Sequence, residues 1–151
     1  MANAYRVDIR RLEDFSAADL YAMLKMRVDV FVVEQKCPYP ELDGNDPACF
    51  HLRLLDGDDL LACARLWRPT SDALPHIGRV AVSPNHRGRR LGEALMREAI
   101  AACERLYPGE AIELSAQAHL RTFYGALGFK PISEEYLEDD IPHIDMRRAA
   151  P

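Results

Sequence analysis

No apolar run in this sequence is long enough to cross a bilayer, which excludes a membrane-spanning helix and any function that needs one. The opening segment MANAYRVDIRRLEDF lacks a continuous apolar stretch of the signal-peptide kind, so a cytoplasmic location is expected. Low-complexity tracts and internal repeats are also missing, which argues against a disordered chain or a repeat array. The four cysteines, Cys37, Cys49, Cys63 and Cys103, never form a CxxC pair, so reduced thiols are expected and a disulfide framework is not. Basic residues do not dominate. With 19 Lys and Arg against 24 Asp and Glu, the net charge of -5 leaves no broad positive face for nucleic acid.

Metal and phosphate-loop signatures are lacking as well. Cys37, Cys49 and His51 do not have a zinc spacing, and DGNDPA fails as a calcium loop because Pro47 and Ala48 stand where an oxygen ligand and a glycine are needed. No metal is expected. Neither GxxxxGK[ST] nor the three-glycine dinucleotide fingerprint occurs.

What remains is a globular composition, 48% hydrophobic and 28% charged over 151 residues, matching one domain over 1–151. A chain of this length buries roughly two-thirds of its unfolded surface, enough for a core of its own. Residues 5–10 alternate as a first strand, and Ser16 then reads as the N-cap of a helix that buries Leu20, Leu24, Val28 and Phe31. The segment CPYPELDGNDP reads as an irregular loop. Residues 51–55 and 60–67, separated by DGDD, make a hairpin, and 76–82 makes a further strand. From Gly88 a helical stripe runs through Leu91, Ala94, Leu95, Ala99, Ala102, Cys103 and Leu106 until Tyr107-Pro108-Gly109 stops it. A strand over 111–116, a helix over 118–127 closed by Gly128, and a last strand including 144–147 complete a mixed α/β sheet.

The junction GRVAVSPNHRGRRLGEALM carries the first chemical signal. A helix start offers N–H groups without intrahelical partners and the positive end of the helix dipole, and therefore suits an anion. Gly88 permits close approach of a phosphate, while Arg87, Arg89 and Arg90 can add charged hydrogen bonds. Solvated arginines at an ordinary helix start fit the junction equally well, and the junction alone does not choose.

The run Arg87 to Gly92 resembles the main cofactor motif of the GNAT acyltransferases, a strand followed by Arg/Gln-x-x-Gly-x-Gly/Ala at a helix start. FYGALGF, residues 123–129, is similar to the family's Tyr-x-x-x-Gly-Phe segment. RVDVFVVEQKCPY, the DGND loop, AQAHLRTFY and IPHIDM together resemble the ElaA-like subgroup over almost the whole chain. The resemblance implies a mixed, mostly antiparallel central sheet flanked by helices and an N-acetyltransferase using acetyl-CoA. Arg87, Gly88, Arg89, Arg90, Leu91 and Gly92 would then embrace the pyrophosphate, and the backbone of Val80, Ala81 and Val82 would pair with the pantetheine arm. Gln117 falls where many members have a cofactor-facing Asn. One departure stands out: Arg90 occupies the place of the first motif glycine.

The implied reaction is direct attack of a neutral amine, from a small molecule or a peptide, on the thioester. It needs a proton acceptor for the amine, a donor to the developing oxyanion and a proton for the departing sulfur. Tyr124 is implied for the last task, since a phenol with a reference pKa of about 10 is protonated at neutral pH. The implied oxyanion donor is a backbone N–H between Val80 and Val82. For the base, Glu34 at helical spacing from Arg27 and Phe31, His76 on the period-two face of Val80 and Val82, and Glu113 on the fifth strand all stand as candidates. Arg27, Glu34 and His143 are candidate acceptor contacts, whereas His119 reads as a helix-start residue that caps or packs. The acidity of CPYPELDGNDP suits a cationic acceptor or a solvated surface loop. A homodimer is left open, and a CoA-binding module without catalysis is the competing function.

Overall fold

The computed structural model describes residues 4–151; the opening Met1 to Asn3, part of the segment read above for targeting, lie outside the described residues. Strand β1 (Arg6–Arg11) leads through a 3-10 turn to Ser16, whose hydroxyl accepts the N–H of Asp19 at 3.1 Å and caps α1 (Ala17–Val28). Asp29–Glu34 continues as a π-helical segment. The expected apolar stripe is displaced: Met23, Met26, Arg27 and Val30 are buried, while Leu20, Leu24, Val28 and Phe31 are only partly covered. Two physical causes account for this. The buried guanidinium of Arg27 fixes the inward face, and the wider π turn rotates the residues that follow.

The hairpin forms as β2 (Phe50–Asp56) and β3 (Asp59–Trp67), with Gly57 supplying the left-handed turn residue at φ 58°. β4 (His76–Val82), α2 (Leu91–Leu106), β5 (Ile112–Gln117) and α3 (Arg121–Gly125) follow. Three further strands, β6 (Phe129–Pro131), β7 (Tyr136–Glu138) and β8 (Ile141–Arg148), complete an eight-stranded sheet. Its order is β1-β2-β3-β4-β5-β8-β6, with β7 also on β8, and every pairing is antiparallel except β4 with β5.

α2 buries Leu91, Leu95, Met96, Ala99, Ala102 and Cys103 on one face of the sheet, together with Leu52, Leu66 and Ile77. α1 covers the opposite face with Met23, Met26 and Val30 against Cys63 and Ala81. Each fully buried aliphatic side chain of this kind contributes roughly 1.5–3 kcal/mol relative to exposure. The loop between α1 and β2 is exposed over most of its length, but its acids are committed to arginines. Glu41 and Asp46 are buried, and Asp43 is paired with Arg65, so its acids close a network with Arg27, Arg65 and Arg79.

Two irregularities shape the centre of the sheet. β4 meets β5 in register only at His76 and Glu113, and beyond that pair a cavity opens between the strands. In β4, Arg65 faces Gly78 and Cys63 faces Ala81, so Arg79 and Val80 together stand against Ala64. This is a β-bulge, with Arg79 left-handed at φ 50°. Alternation therefore slips by one. Ile77, Val80 and Val82 face the α2 core, whereas Ala81 faces α1, and His76 and Gly78 share its side through their partners Trp67 and Arg65. The period-two reading that put His76 on one face with Val80 and Val82 is corrected accordingly.

Candidate active site

The helix dictated by the stripe from Leu91 begins later than Gly88, because Gly88 (φ 83°) and Arg90 (φ 56°) are both left-handed and cannot continue a helical turn. Arg90 is the N-cap of α2, and the first intrahelical bond runs from the Ala94 N–H to its carbonyl at 3.2 Å. The N–H groups of Leu91, Gly92 and Glu93 thus form the partnerless end of a 16-residue helix. Arg90 occupies the backbone conformation that glycine adopts freely, at a cost of roughly 1–2 kcal/mol for an L-residue. The left-handed backbone of the missing glycine is thus kept, with a Cβ added.

A cavity of about 760 Å³ runs from this helix end between β4 and β5. Val80, Ala81, Val82, Arg87, Gly88, Arg90, Leu91, Gly92, Gln117 and Tyr124 line it, so the structure brings nearly all of the expected cofactor residues together. Arg89 is the exception: it is not part of the cavity wall, and its guanidinium contacts His86 Nδ1 at 3.0 Å. Gly92 lies below the ring of Phe123, which a Cβ there would approach to 3.7 Å. Gln117 donates to Gln35 Oε1 at 3.1 Å across the cleft.

Tyr124 is buried between Phe123 and Phe129, both edge-on to it with ring centroids 5.0 and 6.2 Å away. Burial pushes its phenol up to about 12. Among the described residues its hydroxyl takes part in no hydrogen bond, and the ring borders the cavity. A protonated, unengaged donor therefore faces the cleft.

The expected bases separate. Glu34 lines the cavity but accepts both terminal nitrogens of Arg87, at 2.6 and 2.8 Å. That guanidinium holds its carboxyl below the usual range, which makes it a poor proton acceptor. Glu113 does not line the cavity and lies 3.6 Å from Arg147. His76 lines it, with Nδ1 2.8 Å from the Leu74 carbonyl. A carbonyl only accepts, so Nδ1 carries the proton and Nε2 keeps its lone pair in the neutral ring. His143 is built alike, with Nδ1 2.7 Å from the Ile141 carbonyl and Nε2 3.5 Å from Glu138. His119 is exposed on the 3-10 turn before α3 and borders the cavity rather than packing in the core. Arg27, expected to meet an acceptor, is corrected to a structural role: it is 1% exposed, lies off the cavity, and is bound to Glu41 and Asp46 at 2.8 Å each.

Three of the four thiols are unsuited to covalent catalysis, and Cys37, half-buried, borders the cavity with its Sγ 3.7 Å from the Asp139 carbonyl. All four are free, and burial pushes Cys49 up to about 11 and Cys63 and Cys103 up to about 12, far from a nucleophilic thiolate at neutral pH.

Sequence reasoning missed Phe31, Gln35, Trp67 and Arg79, which also line the cleft. One signal was present. A Cβ on Gly78 would lie 3.0 Å from the Trp67 ring, and a glycine inside a strand marks such a close approach or a bulge.

The model of the acetyltransferase (GNAT) domain family matches residues 18–150. The chain belongs to the GNAT acetyltransferase family. Within that family it is ElaA-like: protein ElaA of Escherichia coli (strain K12) is 44% identical over 138 residues, which span 89% of this chain and 90% of ElaA. The crystal structure of Escherichia coli ElaA matches with a TM-score of 0.88 at 40% identity, covering 96% of this chain and 99% of that one. An acyl-CoA N-acyltransferase from Pseudomonas aeruginosa matches with a TM-score of 0.91 at 46% identity, covering 97% and 100%. GNAT enzymes use acyl-CoA, and the donor set of this GNAT chain fits that group: a helix end with partnerless N–H groups beside Arg87, an apolar wall of Val80, Val82 and Leu91, and a phenol at the far side. The mixed, mostly antiparallel sheet flanked by three helices is the fold of these GNAT structures.

Proposed function

We propose that this GNAT protein is an acetyl-CoA-dependent N-acetyltransferase that transfers the acyl group directly to an amine of a small molecule or a peptide, with residues 1–151 as one catalytic domain in the cytoplasm. Acetyl-CoA would supply an activated acyl group and a thiolate leaving group. The observation that carries the reading is one continuous cavity reaching from the N–H groups at the start of α2 to the Tyr124 ring. In this reading Arg87, Gly88, Arg90, Leu91 and Gly92 hold the pyrophosphate. Arg89 acts there only as a flanking charge. Val80, Ala81 and Val82 offer backbone groups that β5 leaves unpaired, and Gln117 fixes the opposite wall.

Tyr124 protonates the departing sulfur. His76 takes the amine proton on Nε2, a role that its tautomer supports and that the ion pair of Glu34 with Arg87 disfavours for Glu34. His143, whose Nε2 lies 3.5 Å from Glu138, contacts the acceptor amine, and Glu34 borders the same opening.

Calorimetric titration checks the cofactor end. CoA should bind, and pantetheine, which lacks the phosphates, should bind at least about tenfold more weakly, the equivalent of about 1.4 kcal/mol or more. Equal affinities would show that the α2 terminus and Arg87 hold no pyrophosphate.

A further inference from the structure

We infer that Glu41 and Asp43 set the geometry of the thioester end of the cleft by holding Arg79 in its left-handed bulge; the inference rests on the acyltransferase reading above. The loop between α1 and β2 carries Glu41 under β4, where its Oε2 accepts the Nε of Arg79 at 3.0 Å and the Nε of Arg27 at 2.8 Å. Asp43 Oδ2 lies 3.7 Å from the NH2 of Arg79 and 2.6 Å from that of Arg65. The Glu41 side chain is only 5% exposed, so its charge acts in a medium that screens little. On the other side the guanidinium carbon of Arg79 sits 5.9 Å from the Phe31 ring centre, against a residue of the cleft wall. Arg79 is thus clamped by two carboxylates and an aromatic face.

This clamp sits on the one β4 residue with a positive φ. An L-residue inside a strand relaxes to extended backbone unless its surroundings hold it otherwise. Were Arg79 to relax, the bulge would be lost and the alternation of β4 would slip by one, which moves every following side chain to the other face. Val80 and Val82 would then leave the α2 face and Ala81 would replace them. The peptide joining Arg79 to Val80 would turn with them. That peptide bears the N–H at the start of the Val80 to Val82 segment proposed to meet the thioester carbonyl. Neither Arg79 nor Val80 has a one-to-one register partner in β3, and β4 has none in β5 beyond His76, so regular ladder pairing does not impose the left-handed conformation of Arg79. The side chain of Arg79 does. Arg79, Glu41 and Asp43 act through the Val80 amide and are positioning residues.

The test uses acetyl-CoA labelled with carbon-13 at the acetyl carbonyl, observed by NMR in the full chain, so no acceptor is required. A donor aimed at the carbonyl oxygen moves the bound resonance downfield of free acetyl-CoA. Arg79→Gly adopts positive φ without a side chain and should keep that displacement. Arg79→Val resists positive φ and should lose it, both variants being read at saturating acetyl-CoA. Arg79→Ala should fall between the two and keeps the comparison decisive if the Val variant does not fold. Asp43→Asn should narrow the displacement in the native background and change nothing further in the Arg79→Gly background. Equal loss in the Gly and Val variants, no loss in either, or an equal effect of Asp43→Asn in both backgrounds would overturn the inference. Failure of the unaltered protein to bind acetyl-CoA would instead remove the acyltransferase reading, and this inference with it.

Discussion

Tyr124→Phe should lower turnover by about 100-fold or more, the scale at which a positioned proton donor contributes, while CoA binds as before. The substitution removes one oxygen and little else. The edge-on contacts to Phe123 and Phe129 belong to the ring and survive, and the hydroxyl makes no hydrogen bond that the fold would miss. A stability change is therefore not expected, and the effect should lie in kcat. The desolvation that pushes the phenol up to about 12 also disfavours a thiolate in the same pocket, so donor and leaving group shift in the same direction. Because the phenol stays protonated well above neutral pH, any fall in rate between pH 8 and about 10 must come from another group. Thiol release measured with the best available amine, alongside calorimetric CoA titration, checks both halves. Unchanged turnover would remove Tyr124 from the mechanism.

Arg27→Ala should cost about 3–5 kcal/mol of folding stability, the range for removing one partner of a buried ion pair. Arg27 is 1% exposed and neutralises two carboxylates at once, Glu41 and Asp46, which would be left with Arg79 and Arg65 alone. The same network sets the acid limit of the fold. Arg65 holds the Asp43 carboxyl well below its ordinary value; burial pushes Asp46 up, but its bonds to Arg27 and Arg65 outweigh this and leave it lowered. A depressed folded-state pKa contributes stability that is fully present above the unfolded value of about 3.9 and lost as pH falls through the folded values. The carboxylate contribution to the melting temperature should accordingly be flat from pH 7 to 5 and decline below pH 4, whereas His51, whose burial holds its imidazole below the ordinary value, adds a separate loss as pH falls below about 6.5. In Arg27→Ala that decline should be shallower, since Asp46 has lost its first arginine. Thermal denaturation across this range decides; a variant within about 1 kcal/mol of the native protein would mean that the network contributes nothing beyond ordinary surface pairs.

Much of this architecture could be read from residue patterns, and the failures have specific causes. The DGDD hairpin, β4 over His76–Val82 and the Ser16 cap rest on local turn, alternation and capping chemistry, which a sequence displays directly. The α2 stripe was equally visible, but its start was placed too early because an arginine at φ 56° carries no mark of its conformation. Arg27 and Glu41 were unreadable for another reason. Fourteen positions separate them, and a charged residue reads as solvent-facing until its partner is known. The bulge at Arg79 defeated the face assignment of His76, since one extra residue in a strand inverts a period of two without altering composition. Within the cleft, Tyr124 and the segment from Arg87 to Gly92 were found through family resemblance. Spacing alone left that junction as an anion site without a chemical identity.

The most direct test of the proposed activity is thiol release from acetyl-CoA by the full chain, followed across a panel of small and peptide amines. Release should require both acetyl-CoA and an amine, with the acetylated amine formed in equal amount. Tight CoA binding with no amine-dependent release on a broad panel would contradict it and would mark the protein as a CoA-binding module without catalysis.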